Sequence, residues 1–171
     1  MTQGAEHVAT NRRIAPVFMM IAGVAPFAIS ACFVFRFDGL LASHPGGFSQ
    51  PLAERLQFAL LSLLVYGAVI LSFLGGIRWG VELARNPAGP RGLPMTLAAA
   101  VALLGWLLVL WGAIVNTDAL LFWCYAFLFM WTLGWDLGTG GFPSWFRRMR
   151  VIATIGAGGS FIAVALMLHF T

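Results

Sequence analysis

The chain has 171 residues but no lysine, so all ten of its basic side chains are arginine. That absence excludes the phosphate-binding lysine of a P-loop, a Schiff-base lysine and a lysine general base. Charge of either sign is scarce: 9% of the residues are charged, 60% are hydrophobic, and the mean hydropathy is +0.89. Such a chain has too little polar surface to coat a soluble globule of this size, so the bilayer must be the solvent for most of it.

Candidate metal ligands and nucleophiles are also few. The two cysteines, Cys32 and Cys124, lie far from any C-x-x-C spacing, so we predict neither a disulfide nor a zinc site and interpret both as small buried hydrophobes. His7, His44 and His169 are isolated in the sequence, which disfavours a haem or metal pair. No serine or threonine has a nearby base for nucleophilic catalysis. We therefore predict no cofactor and no enzymatic activity.

The chain contains five long hydrophobic runs. Each run is between 17 and 23 residues long and contains no charged side chain. A helix rises about 1.5 Å per residue and the hydrocarbon core is about 30 Å thick, so each run can cross a bilayer. The runs cover residues 14–35, 56–77, 93–115, 119–135 and 151–168. The sequence therefore predicts an all-α integral membrane bundle of five transmembrane helices, with a cytoplasmic tail over residues 1–13 and a single transmembrane domain over residues 14–170.

The arginines predict the orientation of this bundle. With a cytoplasmic N-terminus, eight of the ten arginines lie on the cytoplasmic side and only Arg36 and Arg55 lie outside. The positive-inside rule then favours an N-in and C-out topology. Because the arginines flank hydrophobic segments and do not form a basic soluble face, we predict no nucleic-acid partner. The expected location is the bacterial inner (plasma) membrane, or the mitochondrial inner membrane in a eukaryote.

The first span has a second interpretation, because residues 29–32 resemble a lipoprotein cleavage box. Cleavage there would leave four spans. The apolar run continues to Phe35, however, and exceeds the roughly 7 to 15 residues of a signal-peptide core, so we favour an uncleaved transmembrane helix.

Small residues recur every four positions in the second span, at Ala68, Ser72, Gly76 and Gly80. Such a ridge lets helix backbones approach closely in a membrane. We favour packing within the bundle over a dedicated partner-binding face. The full set of signature and packing positions is Tyr66, Ala68, Ser72, Gly75, Gly76, Trp79 and Gly80.

Charged residues collect at the end of the same span. Arg78 and Glu82 are four positions apart and could pair, and the proposed topology brings Asp136 to the same membrane face. We interpret the cluster of Arg78, Glu82 and Asp136 as an ion-pair group that orients and pins helices, with a substrate or proton site as the alternative.

The connections between spans are short. Residues 44–47 and 86–94 contain prolines and glycines that indicate loops, and residues 116–118 predict a tight turn between antiparallel spans three and four. The glycines of residues 138–141 are interpreted as a flexible loop. An interfacial segment is predicted next, from its aromatic and basic residues Trp145, Arg147, Arg148 and Arg150.

Residues 66–80, together with Pro143, Trp145, Phe146 and the arginines that follow, carry a family resemblance. They resemble the domain-of-unknown-function family that includes transmembrane protein 69 of the mitochondrial inner membrane and bacterial relatives. The resemblance covers most of the chain and implies a small multi-span inner-membrane protein. It implies no reaction and no catalytic residue.

Two functional classes therefore stay open. The favoured one is a non-catalytic accessory, assembly or scaffold component, whose partners are the lipid bilayer and a larger membrane complex. The alternative is a small transporter or channel that uses the charged cluster near the cytoplasmic face. A polar cavity leading to that cluster would favour transport, and a dry bundle would count against it.

Overall fold

The computed structural model describes residues 3–43, 49–139 and 142–170, with the backbone alone for residues 3–16 and 49. These residues form five α-helices, and no strand occurs among them. Each helix holds a stretch that is long and apolar enough to cross a membrane. The all-α, five-span prediction is thereby confirmed. The helices are α1 (Gln3–Ser43), α2 (Ser49–Arg85), α3 (Gly92–Ile114), α4 (Ala119–Gly138) and α5 (Ser144–Phe170).

Most helix ends lie beyond the apolar runs. α1 continues past Phe35 through Arg36 and Asp38, and α2 continues past Ile77 to Arg85. Charged side chains end an apolar run, but they do not interrupt the backbone hydrogen bonds of a helix, so the helices project beyond the hydrocarbon core. The predicted interfacial segment is likewise no separate element, because its residues form the first turns of α5. The loop predicted over residues 44–47 and the glycines at 140 and 141 lie outside the described residues.

Contacts along the helices show that sequential neighbours run antiparallel. On α2 and α3, Gly75 meets Ala98 and, further along, Ala68 meets Gly105. α3 packs mainly on α2, whereas α1 packs on both α2 and α5. The link from α3 to α4 is short, and Asp118 caps α4 by accepting a hydrogen bond from the backbone N–H of Leu121 at 3.3 Å.

Aromatic rings fill the centre of the bundle. The Phe161 ring of α5 stacks on the Tyr125 ring of α4 with their centroids 4.9 Å apart. Phe27 of α1 meets Phe161 edge-on at 5.7 Å and Phe129 at 5.6 Å. All four rings are buried. Their contacts join α1, α4 and α5 around one core, since edge-on and offset-stacked pairs are favourable arrangements for aromatic rings.

Two glycines of α2 allow close contacts, one with this aromatic core and the other with α3. A Cβ on Gly67 would lie 2.6 Å from Cζ of Phe161 and 2.9 Å from Cε1 of Tyr125. A Cβ on Gly75 would lie 2.6 Å from the carbonyl oxygen of Ala98. Both distances are too short for a real carbon contact, so only glycine lets these surfaces meet.

The predicted small-residue ridge lies elsewhere. Ser72, Gly76 and Gly80 are exposed on the surface of the bundle, and a Cβ on either glycine would meet nothing within 4 Å. Ala68 does contact another helix, at Gly105. Packing of this ridge inside the bundle is therefore corrected: the inward direction of α2 is set by Gly67 and Gly75, which lie on the adjacent side of the helix.

Candidate functional site

Three charged side chains meet where α2 and α4 end and α5 begins. The Arg78 Nε donates a hydrogen bond to Asp136 Oδ1 at 2.5 Å, and the Arg150 Nε donates to Asp136 Oδ2 at 2.7 Å. All three residues are buried, with exposed fractions between 6% and 8%. We call Arg78, Asp136 and Arg150 the arginine–aspartate triad. It joins α2, α4 and α5 through one carboxylate whose two oxygens are both used.

Hydroxyl groups extend the hydrogen bonds of the triad. Arg150 donates from Nη1 to Thr154 Oγ1 at 2.7 Å and from Nη2 to Thr132 Oγ1 at 3.1 Å. Arg78 donates from Nη1 to Thr139 Oγ1 at 2.6 Å. Buried guanidinium groups need such acceptors, because each unpaired donor in an apolar setting is costly. The network is therefore suited to holding three helix ends in one arrangement.

The Arg78 guanidinium also lies between two aromatic rings. Its Cζ is 5.0 Å from the ring centroid of Trp135 and 5.0 Å from that of Phe142. This distance suits cation–π attraction. Its Nη2 is buried and has no hydrogen-bond partner among the residues described. A small cavity of about 10 Å³ adjoins this arginine.

The triad does not balance its own charge. Two guanidinium groups against one carboxylate leave a formal charge of +1. Charge is expensive to bury in a low-dielectric setting unless it is paired. The triad is thus a cationic centre at one end of the bundle.

Glu82 is not part of this centre. It accepts hydrogen bonds from Arg91 Nε and Nη2, both at 2.9 Å, and from Asn86 Nδ2 at 2.8 Å. The predicted pair between Arg78 and Glu82 is therefore corrected: Asp136 takes Arg78, and the loop after α2 carries Arg91 back over Glu82. The hydrogen bonds to Glu82 raise the pKa of the Arg91 guanidinium, which lies outside the spans, above its ordinary value.

The third member of the charged cluster is Arg150, whereas the sequence predicted Glu82. We expected Arg150 at the interface with Trp145, Arg147 and Arg148; those three are exposed, whereas Arg150 is buried. The spacing held a signal for this position, because Arg150, Thr154, Ala157 and Phe161 recur every three to four residues and lie on the buried face of α5. Sequence reasoning also missed Thr132 and Thr154.

Other signature residues tie α2 to its neighbours. The Tyr66 hydroxyl donates to the carbonyl oxygen of Gly23 in α1 at 2.9 Å. Trp79 Nε1 donates to the carbonyl oxygen of Met95 in α3 at 2.8 Å, although the indole is largely exposed. Both bonds lie between helices, so these side chains act in packing.

The cysteines lie apart from the triad. Cys124 is half-buried, but Cys32 is exposed on the surface of the bundle, which corrects the expectation that both are buried. Within residues 3–43, 49–139 and 142–170, no three His, Cys, Asp or Glu side chains are placed to hold a metal ion together.

Five apolar helices with a buried ionic centre at one end define a multi-pass integral membrane protein. A family model described as "Protein of unknown function (DUF3429)" matches residues 13–166, so the chain belongs to this family. The family membership agrees with the resemblance drawn from residues 66–80 and 143–150.

Two relatives carry the name transmembrane protein 69. The protein from Xenopus tropicalis is 38% identical over 143 residues, which cover 82% of this chain and 49% of that relative. The protein from Mus musculus is 29% identical over 114 residues, covering 61% of this chain and 42% of that relative. The chain thus spans about half the length of the curated relatives it matches. No solved structure matches it.

Proposed function

We propose that this chain is a non-catalytic accessory, assembly or scaffold component of a membrane protein complex. The observation that carries the proposal is the engagement of the triad. Both oxygens of Asp136 accept from arginines, and Arg150 is bonded to Thr132 and Thr154 as well. Groups so fully used in joining helices are suited to holding a shape.

The outer surface of α3 supports a role in assembly. α3 packs mainly on α2, and most of its circumference faces outward. Large side chains cover that outward face, and in a bilayer such a face can pack against lipid or a partner helix. The exposed large residues in the middle of the helix include Leu103, Leu104, Trp106, Leu107 and Trp111.

A purification with a surface variant tests the proposal. The tagged chain is extracted in gentle detergent, and the co-purifying proteins are quantified by mass spectrometry. We expect a partner at fixed stoichiometry, and we expect Leu107→Trp on α3 to reduce its recovery. The matched control is Phe127→Trp on the exposed side of α4, which should leave recovery unchanged. A homogeneous homo-oligomer without a stoichiometric partner would contradict the accessory role.

Transport through the bundle is the second candidate. The observation in its favour is the buried Arg78 Nη2, which adjoins a cavity of about 10 Å³. A cavity of that size holds about one water molecule. Proteoliposomes containing the purified chain should show no solute flux above empty vesicles if the chain is an accessory protein. Flux that Arg78→Ala abolishes in a folded protein would replace the accessory role with transport.

The proposal also covers location and orientation. The triad end carries exposed Arg147 and Arg148, and the positive-inside rule assigns such an end to the cytoplasm. We place the protein in a bacterial inner membrane or a mitochondrial inner membrane. Tags at the two ends of the chain should be accessible from opposite sides of sealed vesicles. Accessibility of both tags from one side would contradict this topology.

A further inference from the structure

A large apolar cavity lies beside the triad, between α1, α2 and α5. Its volume is about 580 Å³. That lies within the range of roughly 300 to 1,000 Å³ common for ligand sites. Met19 and Phe73 are 75% and 64% exposed, so the cavity opens sideways at the surface of the bundle. Residues of its wall include Met19, Gly23, Phe73, Ile77, Arg150 and Ala153.

The charge in the wall of this cavity lies at one end, because Arg150 is the one charged residue among the described residues that line it. Trp145 and Arg150 line it near the start of α5, and Ala157 and Phe27 line it near the aromatic core. The distance from Trp145 to Ala157 along α5 is about 18 Å at the rise of a helix. The cavity is therefore an elongated apolar slot with a cationic end, which is the complement of a molecule with an anionic head and a long apolar tail.

The positive charge at the Arg150 end of the cavity favours a ligand with an anionic head. Arg150 belongs both to the cavity wall and to the triad, whose formal charge is +1. Arg147 and Arg148 are exposed on the same turns of α5 and form no ion pair within the described part of the chain. Arg150 itself is buried, which reduces the screening of its charge, so a negative group at this end gains more than it would in water.

We propose that the cavity binds the acyl chain of an anionic amphiphile, with its phosphate or carboxylate head at the Arg150 end. The head supplies the negative charge that the triad lacks, and the tail covers the apolar wall between α1 and α5. Binding of this kind does not depend on a protein partner. The lipid-binding proposal can therefore be tested separately from the accessory role, and failure of one does not imply failure of the other.

The molecule contains its own comparison site. A second cavity of about 630 Å³ lies between α1 and α2 at the opposite end of the bundle. Its wall includes Phe33, Phe58, Glu54 and Arg55, so its charged groups are one acid and one base. It is apolar and of similar size, but it has no excess positive charge. Lipid tails can enter both cavities, whereas a preference for anionic heads is expected only beside Arg150.

Photocrosslinking of the purified full chain in a neutral detergent tests the proposal. The probes are phosphatidylglycerol and phosphatidylcholine with the same diazirine-bearing acyl chain, and a diazirine fatty acid. We expect phosphatidylglycerol to label the wall of the first cavity about fivefold more than phosphatidylcholine, which is the effect of one arginine near a membrane surface. The second cavity should show no such ratio. Equal labelling of the first cavity by the two phospholipids would overturn the proposal.

The fatty acid separates the sources of the anionic head. Labelling by both the fatty acid and phosphatidylglycerol assigns the site to any single negative head with an acyl chain. Preferential labelling by phosphatidylglycerol without labelling by the fatty acid assigns it to a phosphate, and labelling by the fatty acid alone, with the two phospholipids equal, overturns the proposal. Labelling by neither removes the site.

Filling the cavity gives a second test. Gly23 lines it, and a Cβ there would meet nothing within 4 Å, so Gly23→Leu should place a side chain in open space and reduce labelling to background. The control is Gly39→Leu on the same helix, where a Cβ also meets nothing within 4 Å, outside this cavity. If Gly23→Leu fails to fold, Ala153→Leu fills the opposite wall. Undiminished labelling in a folded, filled variant would contradict the proposal.

Removal of the excess charge gives a third test. Arg150→Gln leaves Arg78 against Asp136, so the formal charge of the centre falls from +1 to zero. The ratio of phosphatidylglycerol to phosphatidylcholine labelling should fall well below fivefold, while labelling by phosphatidylcholine persists. A ratio that stays near fivefold would show that Arg150 does not recognise the head. The ratio in the unaltered chain tests the proposal even if this variant is unstable.

Discussion

Both sides of α2 carry small residues, yet only one side packs closely inside the bundle. Gly67 and Gly75 meet other helices closely, and Arg78 completes that side with the triad. On the other side, a Cβ on Gly76 or Gly80 would meet nothing. Gly75 and Gly76 are adjacent in sequence and have opposite surroundings. Spacing therefore identifies a smooth surface on a membrane helix but does not say which surface a neighbour uses.

A membrane explains why this ambiguity arises. In water the apolar side of a helix turns inward, but lipid tails are as apolar as leucine, so α2 gains little by hiding one apolar side and exposing another. The side that turns inward is the one whose shape fits the neighbours. For α2, those neighbours are the rings of Tyr125 and Phe161 and the backbone at Ala98.

The most severe way to break the packed side is to remove the counter-charge of Arg78. Asp136→Ala leaves two buried arginines facing each other and should reduce the free energy of unfolding by about 3 to 5 kcal/mol, as for other broken buried pairs. Reversible unfolding in detergent measures the change. Asp118→Ala on the same helix removes one capping hydrogen bond and should cost about 1 kcal/mol. Equal losses of unfolding free energy in the two variants would show that the triad stabilises the protein no more than one capping hydrogen bond does.

Gly67→Leu tests the contact with the aromatic core. Its side chain would collide with Phe161 and Tyr125, both fully buried, so we expect a loss of about 3 kcal/mol from overpacking. Thermal unfolding in detergent and the yield of folded protein measure it. Gly134→Leu on α4, where a Cβ meets nothing within 4 Å, should change stability little. A stable Gly67→Leu protein would mean that α2 does not approach the core closely.

The pair Gly75→Ala and Gly76→Ala sharpens the comparison with the smallest possible side chain. Gly75→Ala places a methyl group against the Ala98 carbonyl oxygen and should destabilise the protein by about 1 to 2 kcal/mol. Gly76→Ala meets open space and should be neutral or stabilising by about 0.5 to 1 kcal/mol, because alanine is the better helix former. Stability changes of the same sign and size in the two variants would contradict the conclusion that only the Gly75 side of α2 is packed.

The smallest effect is expected for Gly76→Leu. The sequence interpretation alone implied a loss of folded yield at this position, whereas the exposed location implies a change within about 0.5 kcal/mol. Folded yield and melting temperature in detergent decide between them. A large loss of folded monomer would show that Gly76 and its ridge pack inside the bundle. Unchanged folding with a changed oligomeric state would instead indicate a contact outside this chain.

The number and position of the spans could be read from the sequence. Each uninterrupted apolar run exceeds the length needed to cross a bilayer, and each became a helix at that place. The ends of the helices could not be read in the same way. Arg36 and Arg78 end the first two apolar runs but lie within α1 and α2, because the backbone hydrogen bonds of a helix form whether or not a side chain is charged.

The charged site was partly predictable. Arg78 and Asp136 were expected near each other because both follow apolar runs that end on the same membrane face, and they are 2.5 Å apart at their nearest atoms. The spacing of four residues predicts a pair between Glu82 and Arg78, and the aromatic and basic residues around Arg150 predict that it lies at the interface. The loop that returns Arg91 over Glu82 and the rotation of α5 that buries Arg150 are properties of the assembled bundle.

The sequence by itself determined that this protein crosses the membrane, and how many times, because those properties follow from the transfer of each apolar segment into lipid. Only the tertiary structure decided which side of α2 is packed, which carboxylate binds which arginine, and where a cavity remains. Those outcomes follow from shape and distance between helices, since inside a bilayer hydrophobicity no longer distinguishes one apolar side from another.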